Sequence, residues 1–319
     1  MSLSIVRFAE PNQSARWGVL HEQRVTPLAI PCETTAALLA VGVPALREAA
    51  AGQPSVPLAG LTLLSPVTRD GKVMCQGANY RQHMIDSGVD PDAKRFNMFF
   101  TKSSASIHDP VGAIVRPRHV TLLDYEVELT LVLGQRTSSA VTVTPANLHE
   151  FVAGICIGND VSARCVQIPQ MQFHKGKSYR TFCPLGPVLC LLEKDDMPLL
   201  DDLRLSLSVN GQVRQNDSTR NLVFKPAETL TEFSQIADFN PGDVLMTGTP
   251  SGCALGLPSP AVVRATALLP DPVRFSLFLK AQQRRPQYLK DGDVVEVRIV
   301  SANGRLDLGV QRHTIVGEN

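Results

Sequence analysis

The run VTLLDYEVELTLVLGQRT, residues 120–137, constrains this chain more than any other stretch. Its apolar residues alternate and β-branched or aliphatic side chains dominate, so it reads as the strongest strand in the sequence. Side chains on a strand alternate faces. Glu126 and Glu128 therefore share one face, while Val127, Leu129, Leu131 and Leu133 share the other. Two carboxylates one strand repeat apart repel each other, and they lose solvation if that face is interior. A divalent cation cures both problems, and Mg²⁺ or Mn²⁺ suits oxygen ligands. The other solution is an edge strand whose acidic face meets water. The pattern alone leaves both open.

Around this strand the chain reads as mostly β. SIVRFAE and RWGVLHEQRVTPL look like a strand pair, and TTAALLAVGVPALREAAAG like one helix or two short ones. LAGLTLLSPV adds a further strand. From residue 70 on, EFVAGICIGNDVSA, PGDVLMTGTP and DGDVVEVRIV are apolar segments bounded by turns. LRLSLSVNGQVRQNDST alternates cleanly and turns at Asn210-Gly211, a strong hairpin signal. Helices are few and short, and strand–helix alternation is too sparse for a doubly wound sheet. The expectation is a β-rich α+β fold, with residues 1–68 a small accessory domain and 69–319 the main domain. Residues 255–287, inserted between the last two of these strands, read as two short helices broken at Pro270, with Phe275, Phe278 and Leu279 on one apolar stripe.

At 319 residues the chain has ample length for a large core. Lys plus Arg number 31 and Asp plus Glu 30, a net charge of +1, so nothing global draws it to nucleic acid or an anionic membrane. No apolar run approaches the ~18 residues of a membrane-spanning helix. The N-terminus lacks a secretory pattern. The seven cysteines are scattered without a CxxC pair, which argues against a zinc site or a disulfide framework. A cytoplasmic protein is expected.

Four further constellations carry polar chemistry. Asp160, in Gly158-Asn159-Asp160, ends an apolar strand; it is a third carboxylate or simply a turn or helix cap. His83 and Asp86 are three apart in NYRQHMID and share a helix face, the arrangement of a general base or of an inconsequential exposed pair. Lys177 lies in HKGKSYRTFCP, a place for an oxyanion-stabilising lysine or a solvated basic loop. Thr247–Gly252 is a loop of hydroxyls and free amides that receives carboxylates or merely turns.

Together these pieces resemble the fumarylacetoacetate hydrolase family. GANYRQHMID, FFTKSSASI, LDYEVELTLVLG, GNDVSARCVQ, KGKSYRTFCPLGP, VNGQVRQNDST, PGDVLMTGTPSG and YLKDGDVVEV occur in the family's order across most of residues 70–300. The resemblance implies a mixed β-roll preceded by a small N-terminal domain, and a homodimer. It implies Mg²⁺ or Mn²⁺, with Ca²⁺ in some members, held by Glu126, Glu128 and Asp160. His83 and Asp86 fall on the water-activating pair and Lys177 on the motif lysine. Arg81, Lys102, Arg164, Gln167 and Thr249 fall on substrate-contacting positions. The implied activity is hydrolysis of a C–C bond in an acylpyruvate or β-diketo acid. The alternative is isomerisation, tautomerisation or decarboxylation of a 2-oxo or 2-hydroxydienoic diacid at the same site. The chain departs from the family pattern in three places. Asp86 stands where its hydrolases usually carry Glu, Cys165 replaces an acid, and Phe173-His174 replaces a larger aromatic.

Overall fold

A computed structural model describes residues 2–93, 95–258 and 260–318. The fold is mixed α+β and strand-rich, built on two main sheets. The acidic strand Val127–Leu133 lies in the interior of an eleven-stranded sheet and not at an edge. It runs antiparallel to Val152–Asn159 on one side and Val244–Met246 on the other. All seven of its residues are buried. Its alternation feeds two cores at once: Val127, Leu129, Leu131 and Leu133 pack into one cluster, and Val132 into another with Ile5 and Trp17. Burial of both faces removes the edge-strand reading of Glu126 and Glu128.

Beyond Val244–Met246 the sheet continues through Val73–Gly77, paired in parallel, and Met98–Lys102, paired antiparallel. On the other side Val188–Leu191 joins Val152–Asn159 to the N-terminal strand Leu3–Ala9, in the register Leu3↔Leu191 and Ile5↔Leu189. Arg16–His21, Arg24–Pro27 and Val56–Pro57 follow in order, so the sheet runs unbroken from the first strands of the chain into its centre. A second sheet orders Gln212–Ser218, Leu203–Val209, Val294–Ser301, Asp307–Gly317 and Val111–Arg116.

Local chemistry sets the breaks. The Ala/Leu-rich segment forms two helices, Thr35–Val41 and Val43–Ala50, parted at Gly42. Asn210 and Gly211 take φ of 52° and 75°, the left-handed pair that a two-residue hairpin turn requires. The insert forms helices Pro260–Thr266 and Asp271–Gln283, with Pro270 capping the second. Phe275, Phe278 and Leu279 are half-buried, and Leu279 packs on the main core. Among the described residues, no helix is long and apolar enough to cross a membrane.

Candidate metal centre and active site

The sheet brings the three expected carboxylates together. Glu126 immediately precedes the central strand, and its carbonyl accepts a hydrogen bond from Asp160 N–H at 2.8 Å, which prolongs the pairing with Val152–Asn159. Asn159 completes the junction: its side-chain oxygen accepts from Glu126 N–H at 3.1 Å. One oxygen from each of Glu126, Glu128 and Asp160 lies within 4.8 Å of the others, and all three residues are buried. Nothing in the separation of residues 128 and 160 along the chain announces this; antiparallel register does.

Buried cations pair with two of the acids. Lys177 Nζ donates to Glu126 Oε2 at 2.7 Å and to Asp160 Oδ2 at 2.5 Å, and lies 5.1 Å from the centre of the Phe100 ring. Lys102 donates to Asp160 Oδ1. Arg164 reaches Asp124 Oδ2 at 2.8 Å, Gln167 Oε1 at 2.8 Å and, with Nη2, Glu126. Burial opposes charge on Glu126, but Arg164 and Lys177 outweigh it and hold the carboxyl below its usual range. Burial likewise opposes charge on Lys177, and Asp160 and Glu126 outweigh it, so the ammonium is held more firmly than usual.

Glu128 is the exception. Among the described residues its carboxylate receives one hydrogen bond, from Gly248 N–H at 2.8 Å. Burial, and then the charges of Asp160 and Glu126, push its carboxyl well up. Gly248 reaches it because its φ is +92°, and a side chain there would come within 3.0 Å of Gln76 O. An under-bonded buried carboxylate facing two others, in an all-oxygen set, fits a divalent cation. The charge count agrees. With Glu128 ionised, Asp124, Glu126, Glu128 and Asp160 facing Lys102, Arg164 and Lys177 leave one negative charge uncompensated, which a cation would meet.

Glu126 and Glu128 open onto a cleft of about 570 Å³. His83, Asp86, Arg164, Gln167, Lys177 and Thr249 all line it. His83, in the helix Arg81–Asp86, is half-buried, and burial lowers its pKa, which keeps the imidazole neutral. No hydrogen bond joins it to Asp86. That carboxylate accepts instead from Gln82 Nε2 at 2.8 Å and from Ser251, tying the helix to the Thr247–Gly252 loop. The expected His83–Asp86 pair is thus present in the cleft but not connected: the shorter Asp is satisfied by closer partners.

Three expected substrate contacts sit differently from the sequence reading. Arg81 points away from the cleft and pairs with Asp92 at 2.9 Å. Lys102 is wholly buried behind Asp160 and does not line the cleft. Thr249 lines it, but its hydroxyl donates to Val127 O at 3.0 Å and accepts from Gln215 Nε2 at 2.8 Å, so it fastens the loop to the acidic strand.

Sequence reading assigned no role to Asp124, Gln215 or Asn79. Asp124 anchors Arg164 and takes Ala254 N–H at 2.7 Å and Leu255 N–H at 3.0 Å. Gln215 accepts from Val127 N–H at 2.9 Å and donates to Pro250 O at 2.8 Å. Asn79 ties Phe224 to Thr247 O. All three act through backbone atoms of segments distant in sequence. Only the position of Asp124 beside the paired glutamates offered a signal.

The Fumarylacetoacetate (FAA) hydrolase C-terminal family model matches residues 72–316. This chain belongs to the fumarylacetoacetate hydrolase family. Its relatives include human mitochondrial oxaloacetate tautomerase FAHD2A, 40% identical over 210 residues that make up 65% of each protein. The Bacillus subtilis oxaloacetate tautomerase YisK is 34% identical over 210 residues, covering 65% of this chain and 68% of that one. The chain spans just under two thirds of the mammalian tautomerases' own length. Among solved structures, the Exiguobacterium antarcticum fumarylacetoacetate hydrolase superposes with a TM-score of 0.75 at 29% identity, covering 99% of this chain and 100% of that one. A probable 2-hydroxyhepta-2,4-diene-1,7-dioate isomerase from Mycobacterium abscessus gives 0.74 at 29% identity, with both chains fully covered.

Proposed function

We propose that this protein is a metal-dependent tautomerase that interconverts the keto and enol forms of a 2-oxo acid of the oxaloacetate type. One observation carries the reading. Glu126 and Glu128 of a buried three-carboxylate cluster line the same cleft as His83, whose pKa burial lowers and which, among the described residues, hydrogen-bonds to no acid. Glu126, Glu128 and Asp160 would hold Mg²⁺ or Mn²⁺, and a cation bound there supplies Lewis-acid polarisation of the 2-oxo group.

The protein's own residues do the rest. Lys177, Lys102 and Arg164 fix the carboxylates in place before any ligand arrives, which preorganises the site. His83 accepts the proton from C3. The C–H electron pair becomes the C2=C3 bond, and the carbonyl π pair moves to oxygen. The imidazolium then returns its proton to that oxygen, and water is neither consumed nor formed. Gln167 turns its oxygen to Arg164, which leaves its amide N–H groups for substrate.

The tautomerase names of the human and Bacillus relatives, and the isomerase name of the mycobacterial protein, support proton transfer over C–C cleavage. The hydrolytic reading asks His83 and Asp86 to activate water together, and Asp86 is engaged by Gln82 and Ser251. The test follows loss of oxaloacetate enol absorbance, and ²H incorporation at C3 in D₂O, with Mg²⁺ or Mn²⁺ present. Acceleration of both, without new carboxylate ¹⁸O in labelled water, is expected; no acceleration by metal-loaded protein refutes the assignment. His83→Ala should bind metal normally yet lose about 10²–10⁴-fold in turnover, the span of a general base.

A further inference from the structure

The cleft holds a cation that the proposed proton transfer does not use. Arg285 comes from the end of the insert and lines the cleft with Leu255, Gly256 and Leu257. The other two cations lining the cleft are committed: Arg164 to Asp124 and Glu126, and Lys177 to Glu126 and Asp160. Arg285 is half-buried and, among the described residues, makes no ion pair. Its one side-chain hydrogen bond among the described residues runs from Nε to Ala254 O at 2.9 Å. That contact orients the guanidinium and, among the described residues, leaves both terminal nitrogens without a protein acceptor.

The mounting is specific. Ala254 N–H is held by Asp124, the carboxylate that also grips Arg164, so Arg285 is keyed to the loop the metal centre anchors. Gln282, buried on the helix Asp271–Gln283, donates to Gly256 O at 2.6 Å and accepts from Gly256 N–H at 3.1 Å and Tyr288 OH at 2.8 Å. This clamp fixes the helix end to the loop. Gly256 leaves the room: a Cβ there would lie 2.4 Å from Arg285 Nη1 and 2.5 Å from its Cζ. A guanidinium with a free fork, poorly hydrated and lacking a counter-charge, is built to receive a carboxylate.

We infer that Arg285 receives the carboxylate at the far end of the substrate, and that the insert thereby makes the site selective for dicarboxylic over monocarboxylic 2-oxo acids. This rests on the tautomerase reading of the same cleft and names the residue that reads the substrate's second charge.

Calorimetry on the Mg²⁺-loaded full chain tests it with two chelating probes, oxamate, which carries one carboxylate, and N-oxalylglycine, which adds a distal one. The wild type should favour N-oxalylglycine by roughly tenfold or more, the worth of one charge-assisted contact. Arg285→Gln should collapse that ratio to within about twofold, and Arg285→Lys should restore part of it. For oxaloacetate the loss should fall on KM and not on kcat. Should Arg285→Gln fail to fold, Gly256→Ala displaces the same guanidinium with its charge intact and is read in the same way. A ratio that survives the substitution overturns the inference. If the wild type still tautomerises oxaloacetate, the functional reading stands without it. If the wild type neither binds a probe nor acts on oxaloacetate, both fall.

Discussion

Glu128 shows how a single buried side chain sets the requirements of a site. Its neighbours Glu126 and Asp160 each have ammonium or guanidinium partners, while Glu128 has one backbone amide and two like charges in front of it. Such a group either takes up a proton or recruits a cation. Glu128→Gln keeps the shape and can still accept from Gly248. It should leave the fold intact while lowering Mn²⁺ affinity by about 100-fold or more, and activity with it. Metal content after dialysis, measured beside thermal unfolding, checks this. Normal metal retention in a folded variant would remove Glu128 from the ligand set. The glutamate pair itself was plain from two-residue spacing. Lys102 as the counter-ion of Asp160 was not, because its partner lies 58 positions away.

At the scale of elements, the site depends on how loops are fastened to one strand. Gln215, from the second sheet, takes Val127 N–H and supplies bonds to Thr249 and Pro250 O. A β-rich reading identifies the strand that carries Gln215 but gives that inward residue nothing to bond, since its acceptors belong to the Thr247–Gly252 loop. Gln215→Leu leaves the buried Val127 amide unpaired and the Pro250 carbonyl with only the Cys253 thiol, at a cost of about 1–3 kcal/mol. The expected outcome is a lower denaturation midpoint together with reduced turnover, since the Thr249 loop loses its tie; a fully stable, fully active variant would contradict it. The insert behaves differently. Its two helices and the break at Pro270 are legible in sequence, because proline and composition act locally. That its far end lines the cleft is a tertiary fact, carried by Gln282 gripping Gly256.

For the whole molecule, continuity of the large sheet governs stability. Leu3–Ala9 covers the edge of Val188–Leu191, and Ile5, Val6 and Phe8 are fully buried. Removing residues 2–64 would strip that edge and open both cores, so the truncated chain should aggregate where the full chain stays monodisperse. Size-exclusion of the two chains decides it, and a soluble, active truncation would show the first strands to be dispensable. Acid offers a second global test. His313 donates to Asp109 O at 2.9 Å, its Nδ1 is buried without a partner, and burial lowers its pKa from 6.5 to about 4. Between those values the unfolded chain binds a proton that the folded chain does not, so stability falls as pH drops through this window, by about 3 kcal/mol at most. His313→Gln should flatten that part of the stability–pH curve. An unchanged slope between pH 6.5 and 4 would mean that the ring charges in the folded state.

Local rules were enough to read the β-rich character, the hairpin at Asn210-Gly211, the helical character of the Ala/Leu-rich segment and the acidic face of one strand. Each depends on side-chain alternation or on backbone preference within a few residues. The ordered motifs carried the family and its three acids as well. Long-range packing alone determined the rest. It made the acidic strand central and doubly buried, set Asp86 against Ser251 and not His83, turned Arg81 outward, and brought Arg285 from the insert to the cleft wall. Those outcomes hinge on which partner lies nearest in space, and a buried charge or amide takes the partner that the assembled backbone presents to it.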